Sequence, residues 1–561
     1  MPKATAEVRN NMAAPQPLPS RQAQSPHSFQ RGRPGWQGAQ TTGVEVVIYP
    51  LPDKGVTQKT DNVPYVFSSE TFDGFDELSD SPSIVSCTVT NAIGSGGTFA
   101  LTVKAGLYGP LIGVISDDSW IDISFTNKGK KWHALRGLID EIRVTQSIGG
   151  SGAYVTTYSV IGRSFQKVFA NTPYYFNINS GENLDGNAIL RYIKGAAAAT
   201  PTSVIELFLK TMPTFIGKFY KRGNWLMPRT MQNAGQVGAD GSYPTFPDVF
   251  SFYFGEQDTY NLPRVVRTQS LIQSVGTGDM WSIAQSYSDN MFTELFTEQM
   301  AFIDPTLGTG GSPLVDIDGN QGLDVTQTSM TVVFRDKPFV AVDPALGSLK
   351  TGRNSPYFRL SNFVMDRQTI QSSDLGISGY ERYNAFYATP PILAEGMANT
   401  LYYRLPLWFP ADINEHGLRR MDISSIYSPL VGKANDPLDN SPTTEQWAIR
   451  RRALVRDWYC MGPQLLSGTI SFGCGAPHLK IGCRLSIPHS SGTEPDTSFY
   501  IEGLSHTWSA PMGTRTTATV TRGWVGTDDS LIAALRQASN NYELAIISKP
   551  GTAPMGGINV G

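Results

Sequence analysis

At 561 residues the chain is long enough for about three to four domains, each with a core of its own. Its 55 Gly, 37 Pro and 11% aromatic residues favour many short strands joined by turns. Its 17% of charged residues is low, which fits a chain held inside an assembly, although a large buried core in a free monomer would lower this fraction too. The net charge of −3 has no strong sign, so the overall field argues neither for nucleic acid nor for an anionic membrane surface as a partner, and local charged patches stay open.

Residues 1 to 42 are rich in Gln, Pro, Ser and Arg and poor in aliphatic side chains, so we expect a flexible N-terminal arm. The arm is basic, which suits either a tether to an acidic partner or a solvated tail. It lacks the continuous apolar segment of a secretory signal. The most apolar stretch of the chain, Ala105 to Ile115, is too short to span a membrane, so no membrane span is expected.

Residues 43 to 170 have the pattern of a first β domain. Trp120 to Phe125 alternates between apolar and polar residues, His133 to Ser147 is a second long run, and Val155 to Arg163 follows a Gly-rich turn. Successive antiparallel strands of this kind predict a barrel or a sandwich.

Residues 171 to 345 predict a mixed α+β domain. Ser203 and Glu206 have the spacing of a capping box at the start of an apolar stretch. A helix is also predicted where apolar residues recur three or four positions apart, at Met280, Ala284, Tyr287, Met291 and Leu295. Met330 to Phe334 is extended, and the polar Gly-rich stretches Gln232 to Ser242 and Thr306 to Gly322 are expected to be surface insertions.

Residues 346 to 440 are expected to form an extended, loop-rich connection, and residues 441 to 548 a second β domain with flanking helices. The helices are predicted over Thr444 to Tyr459 and Asp528 to Leu544. Four β-rich runs lie between them, at Gly468 to Phe472, Arg484 to Pro488, Phe499 to Trp508 and Thr516 to Trp524. The Pro- and Gly-rich residues 549 to 561 are expected to be a loose tail.

An ordered set of short motifs resembles the baseplate hub proteins of contractile-tailed bacteriophages, which are related to the spike hubs of type VI secretion systems. In the last β domain the matching motifs are Trp458-Tyr459, Gly468-Thr469-Ile470, Gly475-Ala476-Pro477, Ile481-Gly482, Tyr500, Gly503, His506, Thr516 to Thr521 and Arg522-Gly523. Upstream, Ser119 to Ser164 resembles the first hub barrel, Trp281 to Phe296 the hub's helix, and Thr331 to Phe339 its Arg-x-x-Pro-Phe strand.

The resemblance implies a β-rich α+β multidomain protein with two tube-like antiparallel β-barrels and a mixed α+β middle region. It implies a structural protein of the virion, the baseplate hub, in which a homotrimer forms a ring of six barrels. The ring would join the sixfold tail tube, or a tube-terminal protein, to the threefold central spike protein. Other baseplate proteins and the tape measure protein are further expected partners, the tail baseplate is the expected location, and assembly is expected in the host cytoplasm.

The chain lacks the short motifs of several enzyme classes. It has neither GxGxxG nor GxxxxGK[ST] for phosphate binding, and no HExxH for a catalytic zinc ion. The six histidines, His27, His133, His416, His478, His489 and His506, form no recognisable zinc set. The serine-hydrolase GxSxG elbow is missing, since Gly376-Ile377-Ser378-Gly379 ends in Tyr380. We therefore expect no enzyme activity, no catalytic, cofactor-binding or metal-binding residue, no cofactor and no specific nucleic-acid partner.

Two alternatives belong to other functional classes. A tail-associated peptidoglycan hydrolase would need two carboxylates as acid and nucleophile or base, and Glu294 and Glu298, placed on one face of the predicted helix, are the pair to nominate. A solvated or packed helix surface is the structural alternative for both. A carbohydrate-binding module would need an exposed aromatic platform.

Three further groups have both a functional and a structural interpretation. Asp316, Asp318, Asn320 and Asp324 resemble a calcium loop, although the Gly position differs from the EF-hand, so a polar surface loop is the alternative. His506 lies on a predicted strand without a Cys or Ser motif nearby, which favours a hydrogen-bonded histidine over a catalytic one. Arg450, Arg451, Arg452 and Arg456 surround their helix and favour solvated or subunit-pairing positions over phosphate binding.

The cysteines argue against a disulfide scaffold, because four in a chain of this length, without a CxxC pair, indicate folding in a reducing compartment. Cys474 and Cys483 flank one turn and could meet across a hairpin. Buried apolar thiols are the alternative that the composition favours.

Overall fold

The described part of the chain consists mostly of antiparallel β-sheet, with few helices. The computed structural model describes residues 42–50, 64–69, 84–104, 111–112, 115–127, 130–148, 154–174, 198–199, 205–211, 213, 251–254, 266–267, 278–288, 290–291, 293–300, 329–338, 356–380, 382–389, 407–424, 459–488, 496–510, 512–540 and 543–544.

The described strands follow one another along the whole chain. They are β1 (Thr42–Tyr49), β2 (Tyr65–Ser68), β3 (Ile84–Ala92), β4 (Ser95–Lys104), β5 (Trp120–Asn127), β6 (Lys130–Ile148), β7 (Tyr154–Ser164), β8 (Pro173–Tyr174), β9 (Ala198–Ala199), β10 (Ser251–Phe254), β11 (Val266–Arg267), β12 (Gly278–Asp279), β13 (Thr293–Met300), β14 (Ser329–Asp336), β15 (Asn362–Val364), β16 (Ile370–Gly376), β17 (Ala385–Thr389), β18 (Leu407–Trp408), β19 (Arg420–Ser424), β20 (Leu466–Phe472), β21 (Arg484–Ile487), β22 (Thr497–Ser509), β23 (Gly513–Val525) and β24 (Glu543–Leu544).

The described helices are short. They are α1 (Lys167–Ala170), α2 (Met280–Tyr287), α3 (Pro356–Arg359), α4 (Pro410–His416) and α5 (Asp528–Asn540), with a π-helical turn at Leu207–Thr211 and 3₁₀ turns at Arg367–Thr369 and Gly462–Gln464. No helix in the described part of the chain is both long enough and apolar enough to cross a membrane.

Strand β23 illustrates how the sequence produces these elements. It is rich in Thr and Val, whose branching at Cβ suits an extended backbone. Thr514, Thr516, Ala518 and Val520 are buried, whereas the residues between them are exposed or half-buried. One face of the strand therefore covers a core, as the alternation in the sequence predicts.

The largest sheet contains 13 strands and joins both ends of the chain. Its order is β16-β20-β23-β22-β3-β4-β7-β6-β5-β1-β2, with β21 pairing β22 and β15 pairing β21. We call β1 to β7 the N-terminal β unit, and β15, β16 and β20 to β23 the C-terminal β unit. Among the described residues the two end strands, β2 and β16, do not pair with each other, so the prediction of two closed barrels stays a proposal.

The described part of the chain also contains smaller sheets. β10, β14 and β13 form a three-stranded sheet in the middle of the chain, and β19, β17, β18 and β24 form a four-stranded sheet. The pairs β11–β9 and β12–β8 are short antiparallel ladders. The described part of the middle region thus combines strands with α2 and the π-helical turn. The mixed α+β domain stays a prediction.

Three of the hydrophobic clusters among the described residues fill the main units. The first core lies within the N-terminal β unit and includes Phe67, Phe125 and Val160. The second core lies within the C-terminal β unit and includes Phe472 and Leu485. A middle core packs α2 and the π-helical turn against parts of the N-terminal unit and of β13 and β14.

The helix predicted from Met280 to Leu295 is wrong beyond Tyr287. Helix α2 begins after Asp279, whose carboxylate accepts a hydrogen bond from the backbone N–H of Ser282, and it ends at Tyr287. Residues from Thr293 onward form β13, which pairs with β14 along its whole length. Tertiary pairing overrides the apolar spacing here, because β13 is buried on both faces and its backbone must be hydrogen-bonded.

The other predicted elements have mixed outcomes. The run of strands from Trp120 to Arg163 and the four runs of the C-terminal unit are confirmed, with ends shifted by a few residues. The closing helix is shorter than predicted, since α5 ends at Asn540 and Glu543–Leu544 pairs with β18 instead. The apolar stretch after Glu206 includes the π-helical turn.

Several predictions fall outside the described residues. These are the N-terminal arm apart from Thr42, the two surface insertions, Ser203, the helix from Thr444 apart from Tyr459, and the C-terminal tail. The domain boundaries stay predictions.

Candidate functional site at the junction of the two β units

The two β units meet through direct strand pairing. Gly503–Ser509 of β22 pairs antiparallel with Ser86–Ala92 of β3, although more than 400 residues separate the two strands in sequence. At the start of β1, the hydroxyl of Thr42 accepts a hydrogen bond of 3.0 Å from the backbone N–H of Thr514. Strands from the two ends of the chain are therefore neighbours in one sheet.

The side chain of Trp508 extends from the junction into the first core. The residue belongs to β22 of the C-terminal unit, yet it packs among the buried residues of the N-terminal unit and is only 5% exposed. His506, two residues earlier, has its ring 5.7 Å from the ring of Phe125, which lies in the same core. The first core is thus completed by a segment from the far end of the chain.

A buried cluster of Glu294, Arg335, Tyr500 and Gly482 joins the middle region to the C-terminal unit; we call it the Glu294 cluster. Arg335 Nε donates to Glu294 Oε2 at 3.0 Å, and Arg335 Nη2 donates to the Gly482 carbonyl at 2.7 Å and to the Tyr500 hydroxyl at 3.0 Å. Tyr500 in turn donates to the Glu294 carboxylate at 2.7 Å. Each charged group is paired, as burial requires.

The electrostatics of this cluster follow from burial. Burial and the neighbouring Glu294 carboxylate raise the pKa of Tyr500 well above its ordinary value, so the phenol stays protonated and donates. Burial works to lower the pKa of Arg335, but Tyr500 and Glu294 outweigh it and the pKa is raised. The guanidinium is therefore a permanent cation.

Gly482 explains the tight turn noted in the sequence. Its φ of +72° lies in the left-handed region, and an added Cβ would stand 2.8 Å from both Arg335 Nη2 and the Phe296 ring. A side chain at this position would displace Arg335 from the carbonyl to which it donates.

A second buried network, which we call the Lys480 bridge, connects all three regions of the chain. Lys480 Nζ, from the C-terminal unit, donates to the backbone carbonyl of His133 at 2.9 Å and lies 3.5 Å from Glu298 Oε1 of β13. Asn91 Nδ2, on β3, donates to the other Glu298 oxygen at 3.1 Å. A single ammonium group thus contacts the N-terminal unit and the middle region at once.

A third cluster lies beneath the bridge, inside the N-terminal unit. Arg136 holds Asp122 with two hydrogen bonds, from Nε at 2.7 Å and from Nη2 at 2.8 Å. His133 Nε2 lies 3.3 Å from the same carboxylate, and the Tyr49 hydroxyl donates to it at 3.4 Å. Burial raises the pKa of Asp122, but Arg136 and His133 outweigh it, so that pKa is lowered and the carboxylate is ionised at neutral pH.

His506 is held neutral at the junction. The Thr516 hydroxyl accepts a hydrogen bond from the Ala476 backbone N–H at 2.8 Å. It also lies 2.9 Å from His506 Nδ1, to which it can donate its own proton when the imidazole is uncharged. Burial lowers the pKa of His506 to about 3, and the positive charge of Lys480 adds to the effect. The structural interpretation of this residue therefore fits better than a catalytic one.

We expect the junction to be sensitive to acid. A histidine with a pKa of about 3 in the folded chain and about 6.5 in the unfolded chain binds a proton only on unfolding within that window, so stability falls as pH decreases from about 6.5 toward 3. Urea unfolding at pH 7 and at pH 4.5 measures the loss.

The matched variant His506→Gln keeps a polar side chain without a titratable ring. It should lose less stability than the wild type over the same pH interval. An equal loss in both proteins would assign the acid sensitivity to other groups, of which His133, with a pKa lowered chiefly by burial, is the first to examine.

Glu294 and Glu298 are not arranged as the hydrolase alternative requires. The interpretation that they share a helix face is wrong, since both lie on β13. Both are buried, and Arg335 and Lys480 respectively hold their carboxylates. The geometry is that of structural ion pairs.

The remaining sequence candidates are dispersed. His478 lies between the rings of Trp132 and Phe363, and His416 contacts Asp412 on α4. Among the described residues, no group of three or more His, Cys, Asp or Glu side chains is arranged to hold a metal ion. Ser378 accepts from the backbone N–H of Tyr380 in an exposed turn.

The other candidates are either outside the described residues or cysteines whose state the structure gives directly. The Asp316 to Asp324 loop, Arg450, Arg451, Arg452, Arg456, His27 and His489 lie outside them. Cys474 and Cys483 are both free thiols. Cys483 is buried, which raises its pKa to about 12, whereas Cys474 is exposed, contrary to the expectation of two buried thiols.

Sequence reasoning missed the clusters at the junction. Arg335 interrupts an apolar strand, and Glu294 is its direct cross-strand partner in the β13–β14 register. A charge inside an otherwise buried strand indicates a buried partner. Reading β13 as a helix concealed this relation.

Comparison with known proteins finds likeness in structure only. No family model matches the chain, and no curated protein matches it. The chain is similar to the 43 kDa tail protein of prophage MuSo2 from Shewanella oneidensis, at 10% identity and a TM-score of 0.38, over 85% of this chain and 98% of that one.

Two further solved structures are similar at the same level. A tail protein from Neisseria meningitidis MC58 has 10% identity and a TM-score of 0.36, over 86% of this chain and 96% of that one. A type VI secretion component of E. coli, described as similar to the T4 bacteriophage tail proteins gp27 and gp5, has 8% identity and a TM-score of 0.33, over 79% and 76%.

Proposed function

We propose that this chain is a structural protein of a contractile phage-type tail, the baseplate hub that joins the sixfold tail tube to the threefold central spike. The observation that carries the proposal is the pairing of β22 with β3, supported by Trp508 in the first core. A ring with six positions built from three chains needs two β units side by side in each chain. The ordered hub-like motifs of the sequence support the same assignment.

The proposed mechanism is symmetry matching. A trimer that repeats two similar units presents six positions to the tube on one side and three identical chains to the spike on the other. Permanent interfaces of this kind are depleted in charged residues, and only 17% of this chain is charged. The proposed partners are the tube or a tube-terminal protein, the spike, other baseplate proteins and the tape measure protein, at the virion tail baseplate after assembly in the host cytoplasm.

The assembly state tests this function directly. Light scattering is expected to report about three times the 61.2 kDa chain mass, for the chain alone or co-expressed with the tube and spike proteins of the same tail. Low-resolution imaging of that species should show a ring with six density positions. A chain that stays monomeric with both partners present would refute the proposal.

We also propose that the protein is not an enzyme. Glu294 and Glu298, the two carboxylates that a peptidoglycan hydrolase would use, are buried and ion-paired. In a cell-wall zymogram the pure protein is expected to give no clearing, beside a muramidase as positive control. Clearing that is lost in Glu294→Gln or Glu298→Gln, with circular dichroism unchanged, would instead support the peptidoglycan hydrolase.

A further inference from the structure

Strand β6 extends well past its neighbour β5. The pairing with β5 ends at Leu138, and the next hydrogen bonds on that side join Ile139 to residues 118 and 119. From Glu141 to Ile148, β6 pairs only with β7 among the described residues. We call this part of β6, together with residues 154–158 of β7, the β6–β7 arm. Its outer backbone edge has no strand partner in the described part of the chain.

One face of the arm continues the face that covers the first core. Ile142 and Val144 lie directly opposite Val160 and Tyr158, both of which are buried in that core. Val144 is 44% exposed and Ile148, further out on the same face, is 67% exposed. Two exposed apolar side chains, Val144 and Ile148, separated by Gln146, therefore lie on this face beyond the core.

A second open edge lies at β16, which is one end of the strand order of the sheet. β16 pairs only with β20 among the described residues, and Gln371 to Asp374 are exposed. Asp374 is its only charge, and it has no Lys or Pro of the kind that normally protects an edge strand. Ile377 and Tyr380, which follow directly, are 61% and 95% exposed. We call this strand, with Ile377 and Tyr380, the β16 edge.

We propose that the β6–β7 arm of one copy of this chain pairs with the β16 edge of the next copy, an inference that rests on the proposed ring. The two open edges are similar in length, and Val144 to Ile148, like most of β16, is uncharged. Each edge has backbone groups without a strand partner among the described residues and exposed apolar side chains beside them, so strand pairing between copies would pair the backbone groups and cover the side chains of both. Because the edges lie at different places on the chain, every copy supplies one of each.

The symmetry of this contact favours a second copy of the chain as the partner. Pairing of two different surfaces is heterologous, so it forms either a closed ring or an open filament, and a ring leaves neither edge exposed. A second copy is therefore the partner that satisfies both edges at once, whereas the tube or the spike would satisfy only one.

Cross-linking between differently tagged chains tests the contact. Thr145→Cys and Ser373→Cys place thiols near the centres of the two exposed edges, in a Cys460→Ser/Cys474→Ser background that leaves only the buried Cys87 and Cys483. A mixture of the two variants, treated with a short bismaleimide, is expected to give a product containing both tags. Thr145→Cys mixed with Asn414→Cys, whose residue is exposed on α4, is the matched control and should give none.

Charge substitution gives an independent readout on the full chain. Ile148→Lys is expected to raise the protein concentration needed for half assembly by about tenfold or more, because it places an ammonium group within the contact. Ile112→Lys, a similar change at a site that is 52% exposed, should assemble like the wild type.

The outcomes separate the contact from the ring. A trimer that forms without the cross-linked product, and that Ile148→Lys leaves unchanged, would overturn the contact and leave the proposed hub standing. Cross-linking of the arm only to an added tube or spike protein would overturn it as well. Absence of any trimer, with both partners present, would overturn both.

Discussion

Replacing Arg335 by methionine is expected to destabilise the protein by about 3–5 kcal/mol, because it leaves the Glu294 carboxylate buried without its cation. The change also removes the donors to the Gly482 carbonyl and the Tyr500 hydroxyl. Urea unfolding followed by Trp fluorescence measures the loss, in the transition that includes the C-terminal unit.

Two further variants make this prediction specific. The double variant Glu294→Leu/Arg335→Met removes both charges and should recover most of the loss, because well-packed apolar residues often replace a buried ion pair at little cost. Arg420→Met, which breaks a pair with Asp422 that is more than half exposed, should change stability by about 1 kcal/mol or less. A double variant as unstable as the sum of its single changes would contradict the coupling.

Replacing Trp508 by alanine is expected to cost about 3–5 kcal/mol, the usual range for a large aromatic side chain removed from a core. The residue is buried in the first core although it belongs to the C-terminal unit. The loss should therefore spread to both units. Hydrogen exchange is expected to accelerate in β3 as well as in β22, because these strands form one ladder.

Two control variants test whether the loss comes from removing the buried aromatic ring. Trp508→Phe retains an aromatic ring and should lose clearly less stability. Met512→Ala, in the neighbouring turn where the side chain is 78% exposed, should change little. Faster exchange confined to the C-terminal unit in Trp508→Ala would show that the two units fold independently.

Together these contacts connect the N-terminal unit, the middle region and the C-terminal unit at the junction. The Glu294 cluster joins the middle region to the C-terminal unit, and the Lys480 bridge joins both to the N-terminal unit. The proposed hub would have to resist relative movement of its parts, and buried, hydrogen-bonded ion pairs that fix one geometry would suit that role.

The sequence alone determined the local elements with strong period-two patterns. Trp120 to Phe125 and Thr516 to Trp524 are rich in β-branched and aromatic residues and bounded by turns, so an extended backbone is favoured whatever lies beside it. The interpretation of His506 as a hydrogen-bonded histidine could also be anticipated, because it lies on such a strand with no Cys or Ser motif nearby. The absence of short catalytic motifs is likewise a property of the sequence.

Only the tertiary structure decided which strands are neighbours and which charges are paired. β13 has the apolar spacing of a helix continuation and becomes a strand because β14 supplies its hydrogen bonds. The pairing of β3 with β22, the insertion of Trp508 into the first core and the contact of Lys480 with His133 join residues far apart in sequence. A local pattern records which faces are apolar, but contacts over such separations depend on how the whole chain packs, because no local preference specifies the partner.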